Sequence, residues 1–382
     1  MGSMRVLYKW TSIIMAIALL ASISPLKAKA GVELNARNAV LMEQGSGRVL
    51  YEVNAHEKRR IASITKIMTA ILAIESGKMD RMVKISDKAI GTEGSALYLK
   101  NGQKMKLEDL VYGLMLRSGN DAAVAIAEYV GGSFDGFIWM MNQKAEEIGM
   151  KNTNFSNPHG LDNTKNHYST AYDMALLTRY AMNNEQYKKI AGTKKHRAPN
   201  LMEGWDYVWR NKNKLLSMYE HCTGGKTGYT KLAKRTLVST ATKGDMNLVA
   251  VTLDDGDDWN DHIKMYETAF LEYDLTEVIP EGPVKEVKNK VYKGNIYMRS
   301  SFHYPLTEAE KEKVSVSYKL VKPNNEWNKE KNFPEKVGRA EVLLDGKRIG
   351  TRNIFFGKAE ETMRMGDKPN WKRIFFTFLG LN

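Results

Sequence analysis

The order in which strand-like and helical patterns follow each other along the chain limits its fold most strongly. Two apolar runs within residues 38–54 flank a Gly45-Ser46-Gly47 turn, which predicts a β-hairpin. Helical segments are expected over residues 63–75, 107–117, 121–130, 134–148 and 169–182. Two strands and a closing helix are expected over residues 235–241, 247–253 and 261–272. Strands at both ends with helices between them predict an α+β fold, an antiparallel sheet with a helical layer.

A second region begins after Pro280-Glu281-Gly282-Pro283, a sequence typical of a boundary. Beyond it the predicted strands are short, and Asp345-Gly346 has the composition of a hairpin turn. We therefore expect a small all-β domain over residues 284–356, behind a larger domain over residues 31–280.

The first thirty residues have the features of a secretion signal. Arg5 and Lys9 precede an apolar run, residues 13–21, which is too short for a typical membrane span. Ala28-Lys29-Ala30 fits a small-x-small cleavage site, so residues 1–30 are predicted to be removed. An uncleaved N-terminal anchor is the alternative, and both interpretations place the rest of the chain outside the cytoplasm.

The end of the chain, residues 370–382, is predicted to form an amphipathic helix too short to span a bilayer. Its apolar stripe consists of Trp371, Ile374, Phe375, Phe378 and Leu379, beside Lys372 and Arg373. One interpretation is an interfacial anchor on an anionic membrane, and the other is a terminal helix docked on its own protein.

Charge and cysteine content limit the partners and cofactors. The formal net charge of +13 favours anionic partners such as phospholipid or wall polymers, although a solvated basic surface has the same charge. A nucleic-acid partner would require a cytoplasmic location, which the leader argues against. Cys222 is the only cysteine, so no internal disulfide can form. The usual zinc patterns are absent, and we assign no histidine to a metal and no cofactor to the chain.

The first motif that can carry chemistry is Ser63-Ile64-Thr65-Lys66, at the predicted start of a helix. A spacing of three residues places the serine and lysine side chains on one helix face. A serine hydroxyl needs a nearby base before it can act as a nucleophile, and a lysine serves only if its pKa is lowered. Because Ser-x-x-Lys occurs often by chance, this motif alone is weak.

The second motif, Ser118-Gly119-Asn120, lies on a predicted turn between two helices. Ser118 could relay protons to a leaving amine, and Asn120 could hold a substrate carbonyl or orient Lys66. The alternative is ordinary capping of the following helix by Asn120 or Asp121.

The third motif, Lys226-Thr227-Gly228, is expected where the chain enters a strand. The cation and the hydroxyl suit a terminal carboxylate, and the glycine allows a ligand backbone to approach closely. The alternative is a basic strand start with a turn glycine.

Together, in this order and in an exported chain, the three motifs resemble the serine penicillin-recognising superfamily. Within it the chain is similar to low-molecular-mass D-alanyl-D-alanine carboxypeptidases, with the sporulation, cortex-modifying type as a candidate subtype. The resemblance runs from about residue 31 to the C-terminus. It includes residues 60–62, 119–123, 157–162 and 225–230.

This resemblance implies a function and roles for the motif residues. Ser63 would form an acyl-enzyme with peptidoglycan stem peptides ending in D-Ala-D-Ala, and β-lactam antibiotics would inhibit it covalently. Lys66 would be the general base, and Ser118 and Asn120 would assist proton transfer and positioning. Lys226 and Thr227 would bind the terminal carboxylate, and Gly228 would let the ligand backbone approach. The backbone amides of Ser63 and Tyr229 would form the oxyanion hole. Many relatives have histidine where this chain has Tyr229, which leaves the side-chain influence on deacylation open.

Two other functions agree less well with the sequence. A β-lactamase needs a second base, usually a Glu followed three residues later by Leu-Asn, and no glutamate between Asn120 and Lys226 begins such a motif. A non-catalytic penicillin-sensing or wall-binding module has no need of a serine–lysine pair. Cys222, His159 and Asp162 are expected to have structural roles.

Overall fold

The computed structural model describes residues 32–285, 287–323, 327 and 333–357. Its main sheet has five antiparallel strands in the order β2-β1-β9-β8-β7. These strands are β1 (Asn38–Glu43), β2 (Val49–Val53), β7 (Cys222–Thr230), β8 (Lys234–Lys243) and β9 (Met246–Leu253). The predicted hairpin pairs with the last of the predicted strands, so the two ends of the α+β region meet in one sheet.

Helices fill the chain between β2 and β7 and follow β9. They are α1 (Lys66–Glu75), α2 (Asp87–Ile90), α3 (Leu107–Arg117), α4 (Asn120–Gly131), α5 (Phe134–Ile148), α6 (Ala171–Ala181), α7 (Glu185–Gly192), α8 (Leu215–Met218) and α9 (Asp258–Glu272). A 3-10 turn, Ala62–Thr65, leads into α1. Two small hairpins lie among the helices, one of β3 (Met82–Lys84) and β4 (Lys104–Lys106), the other of β5 (Lys195–Ala198) and β6 (Tyr207–Arg210).

The main sheet is covered on both faces. Successive side chains along its strands point to opposite faces, and both faces are buried. Val238 and Val251 belong to the large hydrophobic core that also contains the apolar side of α1 and α6. Their neighbours Ser239 and Thr252 point to the other face and share hydrogen bonds with His262 of α9, at 2.6 and 3.1 Å. One face therefore carries the helical core and the other carries α9.

The C-terminal part of the described chain forms a second antiparallel sheet, in the order β11-β12-β16-β15-β14. Its strands are β11 (Gly282–Pro283), β12 (Ile296–Met298), β14 (Val314–Leu320), β15 (Lys336–Leu344) and β16 (Lys347–Phe356). A separate pair joins β10 (Asp274–Ile279) to β13 (Phe302–Leu306), and one helical turn, α10 (Glu308–Lys311), follows β13. Ten buried side chains, Tyr292 and Ile354 among them, form a core of their own here.

Several local predictions need correction. The α-helix expected from Ser63 begins at Lys66, and the third motif lies in the middle of β7 instead of at its start. Helix α7 and the two small hairpins were not predicted. The predicted leader, residues 1–30, and tail, residues 370–382, lie outside the described residues. Within the residues that are described, no helix combines the length and apolar character needed to cross a membrane.

Candidate active site

Ser63 lies in the 3-10 turn that precedes α1, one turn before Lys66. In a 3-10 geometry the side chains at positions i and i+3 eclipse each other. The Nζ atom of Lys66 accordingly lies 2.9 Å from the Oγ atom of Ser63. Ala62, directly before the serine, has a φ of 49°, a left-handed conformation that costs a non-glycine residue free energy. The surrounding structure therefore holds the serine directly after a strained residue, near the start of the turn.

Lys66 is completely buried and has two further partners, both carbonyl oxygens. Its Nζ lies 2.7 Å from Oδ1 of Asn120 and 2.7 Å from the backbone oxygen of His159. Burial lowers the pKa of Lys66 well below its usual value, and the charges of Lys226 and Lys212 lower it further. The lowered pKa favours the neutral amine, which is the form of lysine that can act as a base.

The second motif occupies the sharp connection between α3 and α4. Ser118 follows α3 with a φ of 65°, and its side chain lies in a buried position beside the cleft. Asn120 is the first residue of α4 but makes no side-chain cap there. Its Nδ2 donates to the backbone oxygen of Glu93 at 2.6 Å, which turns its Oδ1 toward Lys66. The capping alternative for Asn120 is therefore wrong.

Asp121 is not a simple helix cap either, because its carboxylate binds the backbone of another segment. It accepts hydrogen bonds from the backbone N–H groups of Leu97 and Leu99, at distances of 2.9 to 3.3 Å. It also accepts one from Ala122 at 2.9 Å. Asp121 thus fixes the chain before α3 to the loop that carries Ser118 and Asn120.

The third motif runs along the middle of β7, beside the 3-10 turn. Lys226 is buried, and its pKa is lowered to about 7 by burial and by the charge of Lys212. A Cβ atom added to Gly228 would lie 2.9 Å from the backbone nitrogen of Ser63, so only glycine permits this approach of strand and turn. Tyr229 is 63% exposed at the rim.

The three motifs meet in one cleft of about 440 Å³. Its lining residues are Ser63, Ser95, Ser118, Lys212, Lys214, Thr227, Gly228, Tyr229, Arg235, Asp258 and Trp259. Lys66, Asn120 and Lys226 are buried. All eight residues predicted from the sequence therefore come together at the cleft or directly behind it.

Lys212, which lies on the segment after β6, was not predicted as a site residue from the sequence. Its Nζ donates to Oγ of Ser95 at 3.3 Å, and its charge acts on both motif lysines. No local pattern distinguishes it from the neighbouring Lys214, because its importance comes from its position opposite distant parts of the chain.

A second group missed from the sequence supports the nucleophile's turn. His167 Nδ1 accepts from the N–H of Ser156 at 3.1 Å, which leaves the proton of the neutral ring on Nε2. This Nε2 lies 2.8 Å from Oγ1 of Thr65, whose hydroxyl donates to the backbone oxygen of Ala62 at 2.8 Å. Burial lowers the pKa of His167 to about 4, so the ring is neutral at pH 7.

The side chains of the remaining candidates take no part in the chemistry of the cleft. Burial raises the pKa of Cys222 to about 11, which leaves an unreactive thiol. The side chain of Asp162 pairs with Arg60 at 3.3 Å, while His159 contributes its backbone oxygen to Lys66. Over the described ranges, no three side chains of histidine, cysteine, aspartate or glutamate form a metal-binding group.

Comparison with known protein families agrees with the motif resemblance. A family model described as D-alanyl-D-alanine carboxypeptidase matches residues 25–257. A second model, described as the C-terminal domain of penicillin-binding protein 5, matches residues 273–362. Both the resemblance and the predicted fold class are confirmed.

Relatives and solved structures cover most of the chain. D-alanyl-D-alanine carboxypeptidase DacF of Bacillus subtilis is 36% identical over 326 residues, or 83% of this chain and 80% of the relative. The corresponding enzyme DacC of Escherichia coli is 32% identical over 369 residues, or 87% of this chain and 88% of the relative. The crystal structure of penicillin binding protein 5 from Haemophilus influenzae matches with a TM-score of 0.70 at 26% identity, covering 86% of this chain and 98% of that one. The chain belongs to the D-alanyl-D-alanine carboxypeptidase family of serine hydrolases.

Proposed function

We propose that this protein removes the terminal D-alanine from peptidoglycan stem peptides through an acyl-enzyme at Ser63. One observation carries the proposal: Ser63 Oγ lies 2.9 Å from the amine of a fully buried lysine whose pKa is lowered. A serine next to a neutral amine is an activated nucleophile.

The partners of Lys66 determine how its neutral form would be oriented. The oxygens of Asn120 and His159 carry no proton and can only accept hydrogen bonds. They therefore take the two N–H groups of a neutral amine, and its lone pair faces the hydroxyl of Ser63. The amine then receives the serine proton as Oγ attacks the scissile carbonyl carbon.

The other motif residues bind the charged groups of the substrate and of the transition state during acylation. The terminal carboxylate is assigned to Lys226 and the hydroxyl of Thr227, and the oxyanion to the backbone N–H groups of Ser63 and Tyr229. When the C–N bond breaks, the proton held by Lys66 passes through Ser118 to the departing D-alanine amine. Water then hydrolyses the ester and regenerates the serine.

The same attack on a β-lactam opens its ring and leaves a covalent adduct on Ser63. A β-lactamase would release this adduct quickly with the help of a second base, but no glutamate motif of that kind is present. The matching family models and relatives are carboxypeptidases or penicillin-binding proteins, which favours a slow release. A purely binding module is disfavoured by the intact serine–lysine pair.

The assay that tests the proposal measures D-alanine release from a peptide ending in D-Ala-D-Ala, with and without penicillin. Ser63→Ala should abolish both release and covalent labelling. A stable penicillin adduct on the Ser63→Ala protein would show that the nucleophile lies elsewhere. The lifetime of the wild-type adduct separates the two enzyme classes, because rapid antibiotic turnover would contradict a carboxypeptidase.

We further propose an exported protein with a leader over residues 1–30, a peptidase domain over residues 31–280, a small β domain over residues 284–356 and a membrane-associating tail over residues 370–382. It would act at the outer face of the cytoplasmic membrane, and in the cortex-modifying subtype at the forespore. The apolar stripe and cations of the tail support the membrane contact. Deletion of residues 370–382 should release the protein from membrane fractions, and unchanged association would contradict the anchor.

A further inference from the structure

One face of the C-terminal sheet carries a regular array of polar side chains. Because side chains alternate along a strand, every second residue of β14, β15 and β16 lies on this face, while Ala340 and Val342 between them fill the core on the other. We call the array the outer face. Row by row across the three strands, its nine positions are Ser315, Leu343 and Arg348, then Ser317, Glu341 and Thr351, then Lys319, Arg339 and Asn353.

Three cations on the outer face converge on one carboxylate. Lys319, Arg339 and Arg348 come within 2.7, 2.9 and 3.7 Å of the carboxylate oxygens of Glu341. The side chain of Glu341 is 6% exposed, whereas those of the three cations are 50 to 60% exposed. The contact with Lys319 holds the pKa of Glu341 below its usual value, so this carboxylate is charged at neutral pH. Three positive charges and one negative charge leave the cluster with a net charge of +2.

This arrangement is not the one that would stabilise the sheet best. Lys319 and Arg339 lie directly opposite each other on neighbouring strands, where two like charges are destabilising. One cation would be enough to neutralise Glu341, and over the described ranges no second carboxylate pairs with these three cations. A surplus of positive charge that is kept against its own repulsion is typical of a surface that binds an anion.

The side chains around the cluster indicate what kind of anion it fits. A guanidinium has five N–H donors and an ammonium has three, so each cation keeps donors for a second anion besides Glu341. Phosphate oxygens suit such donors well. The partly buried Leu343 is the one apolar side chain among the nine, so the outer face offers little to insert into the acyl region of a membrane. Hydroxyl and amide groups that can bond to a hydroxylated ligand surround the cations, from Ser315, Ser317, Thr351 and Asn353.

We infer that the outer face binds an anionic phosphodiester polymer with hydroxylated linkers, which gives the protein an attachment separate from its catalytic cleft. Lys319, Arg339 and Arg348 bind the phosphates, and the neighbouring hydroxyl and amide groups bind the linkers. Strand and residue spacings give the array a size of about 10 by 13 Å, which is larger than one phosphate group. The formal net charge of +13 favours the approach of such a polymer to the whole chain. Binding at this surface does not depend on the chemistry at Ser63.

The test uses the full chain and a fluorescently labelled, soluble poly(glycerol phosphate). Fluorescence anisotropy gives the Kd, which should rise with salt because binding to a polyanion releases counterions. Arg339→Gln and Arg348→Gln should each raise the Kd at low salt about fivefold, since each loses a charged donor to phosphate. Lys311→Gln is the matched control, because it removes the same charge from α10, outside the outer face, where Lys311 pairs with Asp274 and Glu308. It should change the Kd by less than about twofold.

Vesicles of phosphatidylcholine and phosphatidylglycerol form the second arm of the test, because they present phosphate groups on a membrane. Vesicle binding should be the same for the wild type and for both arginine variants. All measurements are made below the thermal transition of every variant, so that a higher Kd reflects the surface and not unfolded protein. Absence of polymer binding by the wild type, an equal rise of the Kd in Lys311→Gln, or weaker vesicle binding in the arginine variants would overturn the inference.

Discussion

At the scale of single residues, two buried lysines with opposite requirements determine the expected pH dependence. Lys66 must be neutral to accept the proton of Ser63, so acylation rises with pH through its lowered pKa. Lys226 must be charged to bind the carboxylate, and with a pKa of about 7 it loses that charge as the pH rises further. The result is a bell-shaped profile of kcat/KM.

Lys226→Arg tests the falling limb of this profile. A guanidinium stays protonated throughout the accessible range, so the decline above about pH 7 should disappear while the rising limb remains. In the wild type, kcat/KM for a D-Ala-D-Ala peptide should fall by up to about tenfold per pH unit on that limb. A decline at the same pH in Lys226→Arg would assign it to another group.

A third residue-scale prediction concerns the hydroxyl of Thr65, which links His167 to the strained carbonyl of Ala62. Thr65→Val leaves the buried Nε2–H of His167 without its acceptor and frees the turn that carries Ser63. Because an unsatisfied buried donor costs about 1–3 kcal/mol, we expect penicillin acylation to slow by about 10- to 100-fold. Thr65→Ser keeps the hydroxyl and should restore most of the rate.

The control for this experiment is Thr178→Val. Thr178 is also buried and donates to a backbone oxygen, that of Met174 at 2.7 Å, but within α6. We expect Thr178→Val to lower the free energy of unfolding by a similar amount and to leave the acylation rate unchanged. Equal slowing in both variants would mean that Thr65 contributes only to general stability.

The sequence predicted the residues that belong to short recognisable motifs and missed those that no local pattern marks. The three-residue spacing of Ser63 and Lys66 fixes their contact whatever the rest of the chain does. The carbonyl of His159 reaches Lys66 from 93 residues away, and every residue has a carbonyl, so no side-chain pattern marks it. Lys212 likewise depends on the packing of the segment after β6.

At the scale of elements, the turn before α1 depends on a loop glycine that touches it. Gly160 has a φ of 89°, and a Cβ there would lie 1.9 Å from the backbone oxygen of Ala62. Gly160→Ala must therefore displace the Ser63 turn, and we expect at least a 100-fold loss of penicillin acylation. Gly149→Ala is matched in backbone, with a φ of 87°, but its Cβ meets nothing within 4 Å.

Gly149→Ala should cost about 1 kcal/mol of folding free energy and leave acylation unchanged. Both variants introduce backbone strain, but only Gly160→Ala also introduces a clash with Ala62. Comparing them therefore separates the effect of strain from the effect of the clash. Acylation rates and thermal unfolding of the two proteins provide the measurement. Similar acylation rates would show that the loop does not position the nucleophile.

Long patterned elements were predictable, and short polar ones were not. Helices α3 and α5 have 11 and 15 residues, enough for an apolar stripe to repeat several times. Strands β3 and β4 have three residues each, and in both only the middle side chain is buried. It lies between an exposed methionine and an exposed lysine in β3, and between two exposed lysines in β4. Such segments become strands only because their partner is placed beside them by the larger fold.

At the scale of the whole molecule, one arginine joins the main sheet's hairpin to the C-terminal strands. The guanidinium of Arg48 binds the carboxylate of Glu310 at 2.6 and 3.1 Å and also donates to the backbone oxygen of Pro305. It lies over the rings of Tyr273 and Tyr304, at 5.2 and 5.1 Å from their centres. With 14% of its side chain exposed, this contact is shielded far more than an ordinary surface ion pair.

Arg48→Ala should therefore loosen the C-terminal strands without changing the cleft. We expect the free energy of unfolding to fall by about 2–3 kcal/mol, because Glu310 loses its partner in a partly buried position. Lys188→Ala removes an exposed pair with Glu185 and should cost less than about 0.5 kcal/mol. Calorimetry should show an earlier or separate transition only in Arg48→Ala, while penicillin labelling of Ser63 at 25 °C stays at the wild-type rate. An unfolding curve identical to that of Lys188→Ala would show that the apolar packing around the hairpin, and not Arg48, holds the two sheets in one structure.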